Sequence, residues 1–387
     1  MKKRVLVLLL AAAALGLVWL AYDLLSPYRG YAGNVIVEIA PGSRASQIAD
    51  SLASRGVLRH RWPFLLRYLI GRPRRTLRAG EYMFDRPLRP IDVYRKLALG
   101  EVYLHPVVIP EGSDRFDIAR ILNQRLGIDP ELFLRATRQT LPIHDLDPKA
   151  PSLEGYLFPD TYRFPRGVSA ATVVTTMLAR FRHIVATRFA DVGATLVVAQ
   201  GRPRGAPLHQ GGLTSWHDVI TLASLVEKET PEASERPLVA GVFERRLELG
   251  VPLQCDPTVL YAAQLKDRPI GTITLTDLQL DSPYNTYRHA GLPPGPIANP
   301  GEASIRAALH PAAGDALYFV ANNQGGHVFA RTLAEHQSNV SRYRREVAAS
   351  HRKEAEPAGK NSKAAPGTKR SAAGAKKRAG NQKANHP

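Results

Sequence analysis

Residues 5–22 form an uncharged, strongly apolar run of 18 residues behind Lys2, Lys3 and Arg4. That length is at the lower end of what crosses a bilayer. In hydrocarbon a single segment satisfies its own backbone only as an α-helix, so this stretch has one available structure. The positive flank stays on the cytoplasmic side, which places residues 23–387 outside. A cleaved signal peptide is the competing reading. Apolar residues continue past the alanine block at 11–14 to Leu20, and no small-x-small site follows the run, which favours a retained anchor.

The rest of the chain has room for two or three domains. A hydrophobic content of 44% is enough for a sizeable core. The formal net charge is +18 and uneven: residues 351–387 hold ten Lys or Arg against two Glu, a net of +8, leaving +10 for the other 350. Cys255 is the single cysteine, so no internal disulfide forms and no Cys/His cluster has zinc spacing.

We read the fold class as α+β in five parts. Residues 1–25 are the basic flank and transmembrane anchor, and 26–33 a short linker. Residues 34–104 form a small α+β module. Val35, Val37 and Ile39 alternate as a strand. Ser43 is placed as the N-cap of a helix faced by Ala45, Ile48, Ala49 and Leu52, with Gly56 ending it. A second helix over 62–70, a strand over 80–84, a third helix over 91–99 closed by Gly100, and a strand over 102–109 follow. This module is either a spacer or a glycan-binding unit. Residues 105–345 form a larger mixed α/β domain, with helices over 116–126, 131–140, 170–187, 215–229 and 235–249. Strands over 317–320 and 327–329 pair around a Gly-rich turn. Residues 201–212 read as a surface excursion. Residues 346–387 have almost no large apolar side chain and are expected to be a disordered basic tail.

The chemistry concentrates at the end of the 215–229 helix, in Leu222-Ala-Ser-Leu-Val-Glu-Lys-Glu-Thr230. Ser215 and Asp218 make a capping-box-like start. Val219, Leu222 and Val226 repeat at i, i+3 and i+7, and Glu229 continues that stripe. Glu227 lies about 160° around the helix from it. The phase therefore aims Glu229 into apolar surroundings and leaves Glu227 nearer to water. A desolvated carboxyl has a raised pKa and holds a proton near neutrality, as a general acid must. The alternative is that both acids are solvated residues at a fraying helix end.

Several loop segments are rich in polar and aromatic residues: 154–162, 254–258, 282–287, 291–301 and 325–327. Aromatic rings stack on pyranose faces, and amides and carboxylates take sugar hydroxyls. Ordinary turn chemistry uses the same residues. No phosphate loop of either common type occurs. His310, His327 and His336 are scattered, and Lys228 lacks a pocket of its own. The basic tail could suit nucleic acid, but outside the cytoplasm anionic lipid or an acidic wall polymer is the available partner.

The run 222–230, followed by Ser234-Glu-Arg236, Val242-Phe243, Arg246-Leu247, Leu253-Gln254, Asp256-Pro-Thr258, Tyr284-Asn-Thr-Tyr287, Gly291-Leu-Pro-Pro-Gly295 and Gly326-His327, resembles the endolytic murein transglycosylase family, the YceG-like proteins. The resemblance implies a lyase that cleaves MurNAc–GlcNAc β-1,4 bonds within peptidoglycan glycan strands, leaving 1,6-anhydro-MurNAc ends and needing no metal or other cofactor. It makes the first module LysM-like and places the chain in the inner membrane with a periplasmic catalytic domain. Peptidoglycan synthases become candidate partners, and nucleic acid does not. The motif match puts the catalytic acid at Glu229, with Glu227 as runner-up. Glu154, Gln254, Asp256, Tyr284 and Asn285 are the candidates for positioning sugar. Cys255 stands where the family usually has Thr or Ser, and the basic tail lies outside the family pattern. A non-catalytic wall-binding scaffold and a hydrolase of the same polymer are the alternative readings.

Overall fold

The computed structural model describes residues 2–70, 76–190 and 213–355. Among these it is a mixed α+β protein of twelve α-helices and three separate two-stranded antiparallel sheets. Helix α1 (Lys2–Leu25) is long and apolar enough to cross a membrane, and none of its apolar window is buried against the protein. The excursion expected at 201–212 and the tail beyond Ala355 lie outside the described residues.

The first unit runs β1 (Val35–Ile39), α2 (Ala45–Ser54), α3 (Trp62–Ile70), β2 (Gly80–Phe84) and α4 (Pro90–Leu99). Strands β1 and β2 pair with Val37 opposite Tyr82. Val37, Ile39, Leu52, Phe64, Tyr82, Phe84, Val93 and Leu97 make its core. Gly56 and Gly100 both take left-handed backbone where their helices end, a conformation that costs glycine nothing. Two details differ from expectation. Arg44 rather than Ser43 is the N-cap of α2; the Ser43 hydroxyl donates to the Ala40 carbonyl instead. The stretch 26–33 is not a free linker, since Tyr28 exchanges backbone hydrogen bonds with Leu88 and Gly30 N–H donates to the Gly56 carbonyl.

A second, larger core extends from Val107 to Leu309. It is built on β3 (His105–Val108), α5 (Arg115–Leu126), α6 (Pro130–Thr137), β4 (Thr161–Phe164), α7 (Ala170–Arg188), α8 (Trp216–Glu229), α9 (Arg236–Glu248), α10 (Asp256–Gln264) and α11 (Glu302–Leu309). The hairpin of β5 (Tyr318–Ala321) and β6 (His327–Ala330) and helix α12 (Leu333–Ala355) complete it. Strand β3 is shorter than the expected 102–109, and it pairs with β4, which the sequence reading missed. Helix α6 stops at Thr137, short of the expected 140. Helix α12 continues to Ala355, ten residues into the stretch from 346 expected to be disordered.

Helix α8 sits at the centre of this core, with α9, α10 and α11 packed against it. Its residues from Val219 to Val226 are all buried, so the helix is enclosed on every side rather than on one stripe. Burying each such Val, Leu or Ile stabilises by roughly 1.5–3 kcal/mol relative to exposure. The helix ends where its last turn leaves the core, at Glu227, Lys228 and Glu229.

Candidate active site

The start of α8 is fixed by side chains. Asp218 N–H donates to the Ser215 hydroxyl at 3.3 Å, and the hydroxyl donates back to the Asp218 carboxylate at 2.9 Å. In the first turn His217 Nδ1 meets the buried Asp147 carboxylate at 2.7 Å, which also accepts from the Tyr156 hydroxyl at 2.5 Å. Midway along, the Ser224 hydroxyl accepts from Ile297 N–H at 3.1 Å and so ties the 291–301 loop to the helix. With the axis pinned along its length, the direction in which its last turn points is set.

The two acids of that turn have opposite surroundings. The expectation that Glu227 lies near water is corrected: its side chain is 5% exposed. Arg236, at the head of α9, reaches it at 3.1 Å, and Gly301 N–H donates to its other oxygen at 2.9 Å. Glu111 joins the same arginine at 3.7 Å. The Glu111 carboxyl lies against Gly301, so a Cβ there would stand 2.0 Å from a Glu111 oxygen unless that half-exposed side chain moved. Helical phase failed for Glu227 because α8 is buried all round, and the tertiary fold brings a cation to the side that the stripe left open.

Glu229 has no Lys, Arg or His within ion-pair distance among the described residues. It keeps some surface accessible while protein atoms crowd its carboxyl. Burial pushes that carboxyl up to about 7; a hydrogen bond from the Cys255 thiol opposes this, and the Asp256 carboxylate adds to it. A group in this state is about half protonated at neutral pH, and that half can donate its proton to an ether oxygen. Cys255 is buried as the N-cap of α10, its thiol pushed well up by burial and by Glu229. Cys255 N–H donates to the Thr286 hydroxyl at 3.0 Å, which fixes α10 to the 282–287 loop.

The sequence-based sugar candidates divide into two groups. Gln254 and Asp256 are exposed; Asp256 is near enough to Glu229 to act on its carboxyl, and the Gln254 amide oxygen accepts from Arg246 at 3.4 Å. Gln254 takes a left-handed backbone with φ of 52°, rare for a residue with a side chain, and its N–H donates to the Thr286 carbonyl. Asp256 accepts from the Tyr287 hydroxyl at 2.5 Å. Tyr287 is half-buried, and burial together with Asp256 and Glu229 pushes its phenol well up.

The other three are interior struts. Asn285 is fully buried; its amide donates to the carbonyls of Leu278 and Leu280, and its oxygen accepts from Tyr287 N–H. Tyr284 is buried against Tyr261, ring centroids 5.2 Å apart. Glu154 is 1% exposed, and its two oxygens accept from Arg115 N–H, the Tyr261 hydroxyl at 3.1 Å and the Asn299 amide at 2.7 Å. Burial and the nearby Asp114 push the Glu154 carboxyl up to about 8, against donors that favour its charged form. These donors leave a sugar no oxygen of Glu154 to reach.

Five residues around the site were not among the sequence-based candidates: Tyr287, Arg236, Asn299 and the Glu235–His327 pair. Asn299 is fully buried and joins Leu157 N–H, the Ser113 carbonyl and Glu154. His327 meets the Glu235 carboxylate through Nδ1 at 2.7 Å and through its own N–H at 2.8 Å. That pair fastens the β5–β6 hairpin beside Thr230, the residue after Glu229. All but Glu235 and Arg236 lie in segments already notable for loop polarity, and only their tertiary partners give them away. Among the described residues no group of three His, Cys, Asp or Glu side chains is placed to hold a metal ion.

A desolvated acid at the end of a buried helix, with the exposed Asp256 carboxylate beside it, is placed to give up a proton. The sequence places that site in a known lineage. Residues 37–342 match the model of the YceG-like family, and the chain belongs to that family. It is 33% identical over 328 residues to the endolytic murein transglycosylase of Bacillus subtilis, covering 80% of this chain and 85% of that protein. Identity to the endolytic murein transglycosylase of Streptococcus pneumoniae is 28% over 339 residues, 80% of this chain but 58% of the longer relative. The crystal structure of a YceG-like protein from Listeria monocytogenes superposes with a TM-score of 0.51 at 31% identity, covering 79% of this chain and 98% of that one.

Proposed function

We propose that this protein is a membrane-anchored endolytic murein transglycosylase in which Glu229 is the acid. The observation that carries the reading is the contrast at the end of α8: Glu227 is held by a cation, while Glu229 is buried without one. The protonated Glu229 carboxyl donates to the oxygen of a MurNAc–GlcNAc β-1,4 bond, and the C1–O4 bond breaks. The C6 hydroxyl of the same MurNAc closes on C1 and gives its proton to the Glu229 carboxylate. One carboxyl thus serves as acid and then base, and no water is consumed. A glycosidase of the usual kind uses two carboxyl groups at a set separation. Here Glu227 is occupied by Arg236 and Glu154 is enclosed, so neither is free to place a nucleophilic water, and the nearby Asp256 carboxylate is engaged by the Tyr287 hydroxyl. Gln254, Asp256 and Tyr287 line the accessible side and hold the sugar hydroxyl and acetamido groups.

The β1-α2-α3-β2 order of the first unit supports a LysM-like, glycan-binding role for residues 34–104, with residues 105–345 as the catalytic domain. The basic flank before α1 supports a single pass through the inner membrane, N-terminus inside and both units in the periplasm. Cleavage of nascent strands there ends their elongation, which makes peptidoglycan synthases the natural neighbours. The basic residues beyond 350 supply attraction to anionic lipid or wall polymer.

Digestion of uncrosslinked glycan strands in ¹⁸O-water, read by mass spectrometry, tests the reading. The expected product has an anhydro end without label. A labelled reducing end would make the protein a hydrolase, and unchanged strands that still bind the protein would make it a scaffold.

A further inference from the structure

Helix α3 has more apolar surface than its own unit uses. Phe64 is fully buried, and Leu65 and Tyr68 pack beside it against the core of the first unit. Trp62, Leu66, Leu69 and Ile70 fall at i, i+4, i+7 and i+8, which places them on one helix face. None of the four belongs to the core, and Leu69 and Ile70 are 62% and 66% exposed. A continuous apolar helix face of this kind needs something to cover it.

The cover is indicated by what stands beside its first residue. The Trp62 ring lies 6.1 Å from that of Trp19, near the outer end of α1, and the His60 ring lies 5.7 Å from Trp19. The junction is built to hold. Asp23 is 4% exposed and accepts from His60 Nδ1 at 2.9 Å, with Arg59 Nε 3.9 Å away. The Arg59 guanidinium lies over the rings of both Tyr22 and Tyr28 at 5.0 Å. Helix α4 also packs against α1. If α1 crosses the bilayer, Trp19 sits in the outer interfacial zone where indoles concentrate, and Trp62 is held at the same depth. The chain around the stripe is strongly basic, with eight arginines and no acid from residue 55 to residue 80. Apolar side chains on one face amid arginines are the marks of a helix lying in a lipid interface.

We propose that the Trp62–Leu66–Leu69–Ile70 face of α3 is seated in the headgroup–acyl boundary of the outer leaflet beside α1. The first unit is then fixed to the membrane by two surfaces instead of swinging from one helix. The Glu229 site is thereby held at a set distance from the lipid, where new strands leave their synthases. This inference rests on α1 spanning the bilayer.

The experiment uses the full chain in vesicles of zwitterionic and anionic phospholipid carrying shallow or deep spin-label quenchers. Leu9→Cys, Leu69→Cys and Leu141→Cys each receive a polarity-sensitive fluorophore, with the wild type, whose single thiol is buried, as background. Leu9 reports on the anchor and Leu141, 83% exposed in the second unit, on open solvent. The expected result is loss of emission at 9 with deep quenchers, at 69 with shallow quenchers, and at 141 with neither. Quenching at 9 with position 69 behaving like 141 would overturn the docking while leaving the anchor in place. A blue-shifted probe at 69 that no lipid quencher reaches would mean that a second copy or another protein covers the stripe, which also overturns it. An unquenched probe at 9 would remove the anchor reading itself.

Discussion

Glu154 and Glu229 are both carboxyls pushed up by burial, yet they serve opposite ends. Around Glu154 every oxygen is met by a donor from a different segment: Arg115 at the start of α5, Tyr261 in α10 and Asn299 in the loop before α11. Around Glu229 the neighbours are a thiol and a second carboxylate, and one side stays accessible. Shifted ionisation alone therefore does not mark a catalytic group. The distinction is whether the polar atoms of the carboxyl are already spent on the protein. Glu227 adds a third case, equally enclosed but neutralised by Arg236.

Replacing Glu229 by Gln should produce the largest effect. We expect cleavage of glycan strands to fall by about 10²–10⁴-fold, the usual worth of a positioned acid, with circular dichroism unchanged. Glu227→Gln should retain more activity, and equal losses in the two variants would erase the contrast between them. Arg236→Met comes next. It strands the Glu227 carboxylate in a site that is 5% exposed beside an arginine that was 9% exposed. Breaking such an enclosed pair costs about 3–5 kcal/mol, read as a lowered midpoint in urea unfolding. A smaller stability effect is expected for Glu154→Gln, about 1–3 kcal/mol for donors left without a full acceptor. Its activity should fall only in proportion to loss of folded protein.

The same comparison predicts a pH dependence of stability. The Glu229 carboxyl has an ordinary value of 4.5 and is held at about 7 in the folded chain. Between those values the folded state binds more protons than the unfolded state, so its contribution is full below 4.5 and is lost as pH rises through about 7. Denaturant midpoints across that range should fall for the wild type and fall less steeply in Glu229→Gln, the remaining slope coming from raised carboxyls such as Glu154.

Much of the first unit was legible because its signals are local. Gly56 and Gly100 sit where helices must stop, and Val35, Val37 and Ile39 alternate as a paired strand does. The capped start of α8 at Ser215 was equally plain. Helices α10 and α11 were not, because Asp256-Pro257 and the Pro-Gly before Glu302 read as turns when nothing shows that they head helices. The polar residues of the loops were read as sugar ligands on the premise that loops face solvent. Here the loops at 282–287 and 291–301 are packed inside, and Asn285 and Asn299 satisfy backbone groups that burial would otherwise leave unpaired. Arg236 could not be assigned to Glu227 from spacing, since the pair meets only when α9 folds back on the end of α8. The desolvation of the Glu229 carboxyl was legible from phase even though α8 is buried on all sides, because the apolar stripe still set the direction of its last turn.

The central claim is that Glu229 keeps its proton near neutral pH while Glu227, two residues away, is paired with Arg236. Carbon-13 labelling of glutamate carboxyls and NMR titration of the folded catalytic protein, with Glu229→Gln to assign the signal, measures this directly. A carboxyl resonance that titrates near 7 and vanishes in Glu229→Gln is the predicted result. If the signal lost in Glu229→Gln instead titrates near the ordinary 4.5, Glu229 is a solvated carboxylate and the acid assigned to this site is wrong.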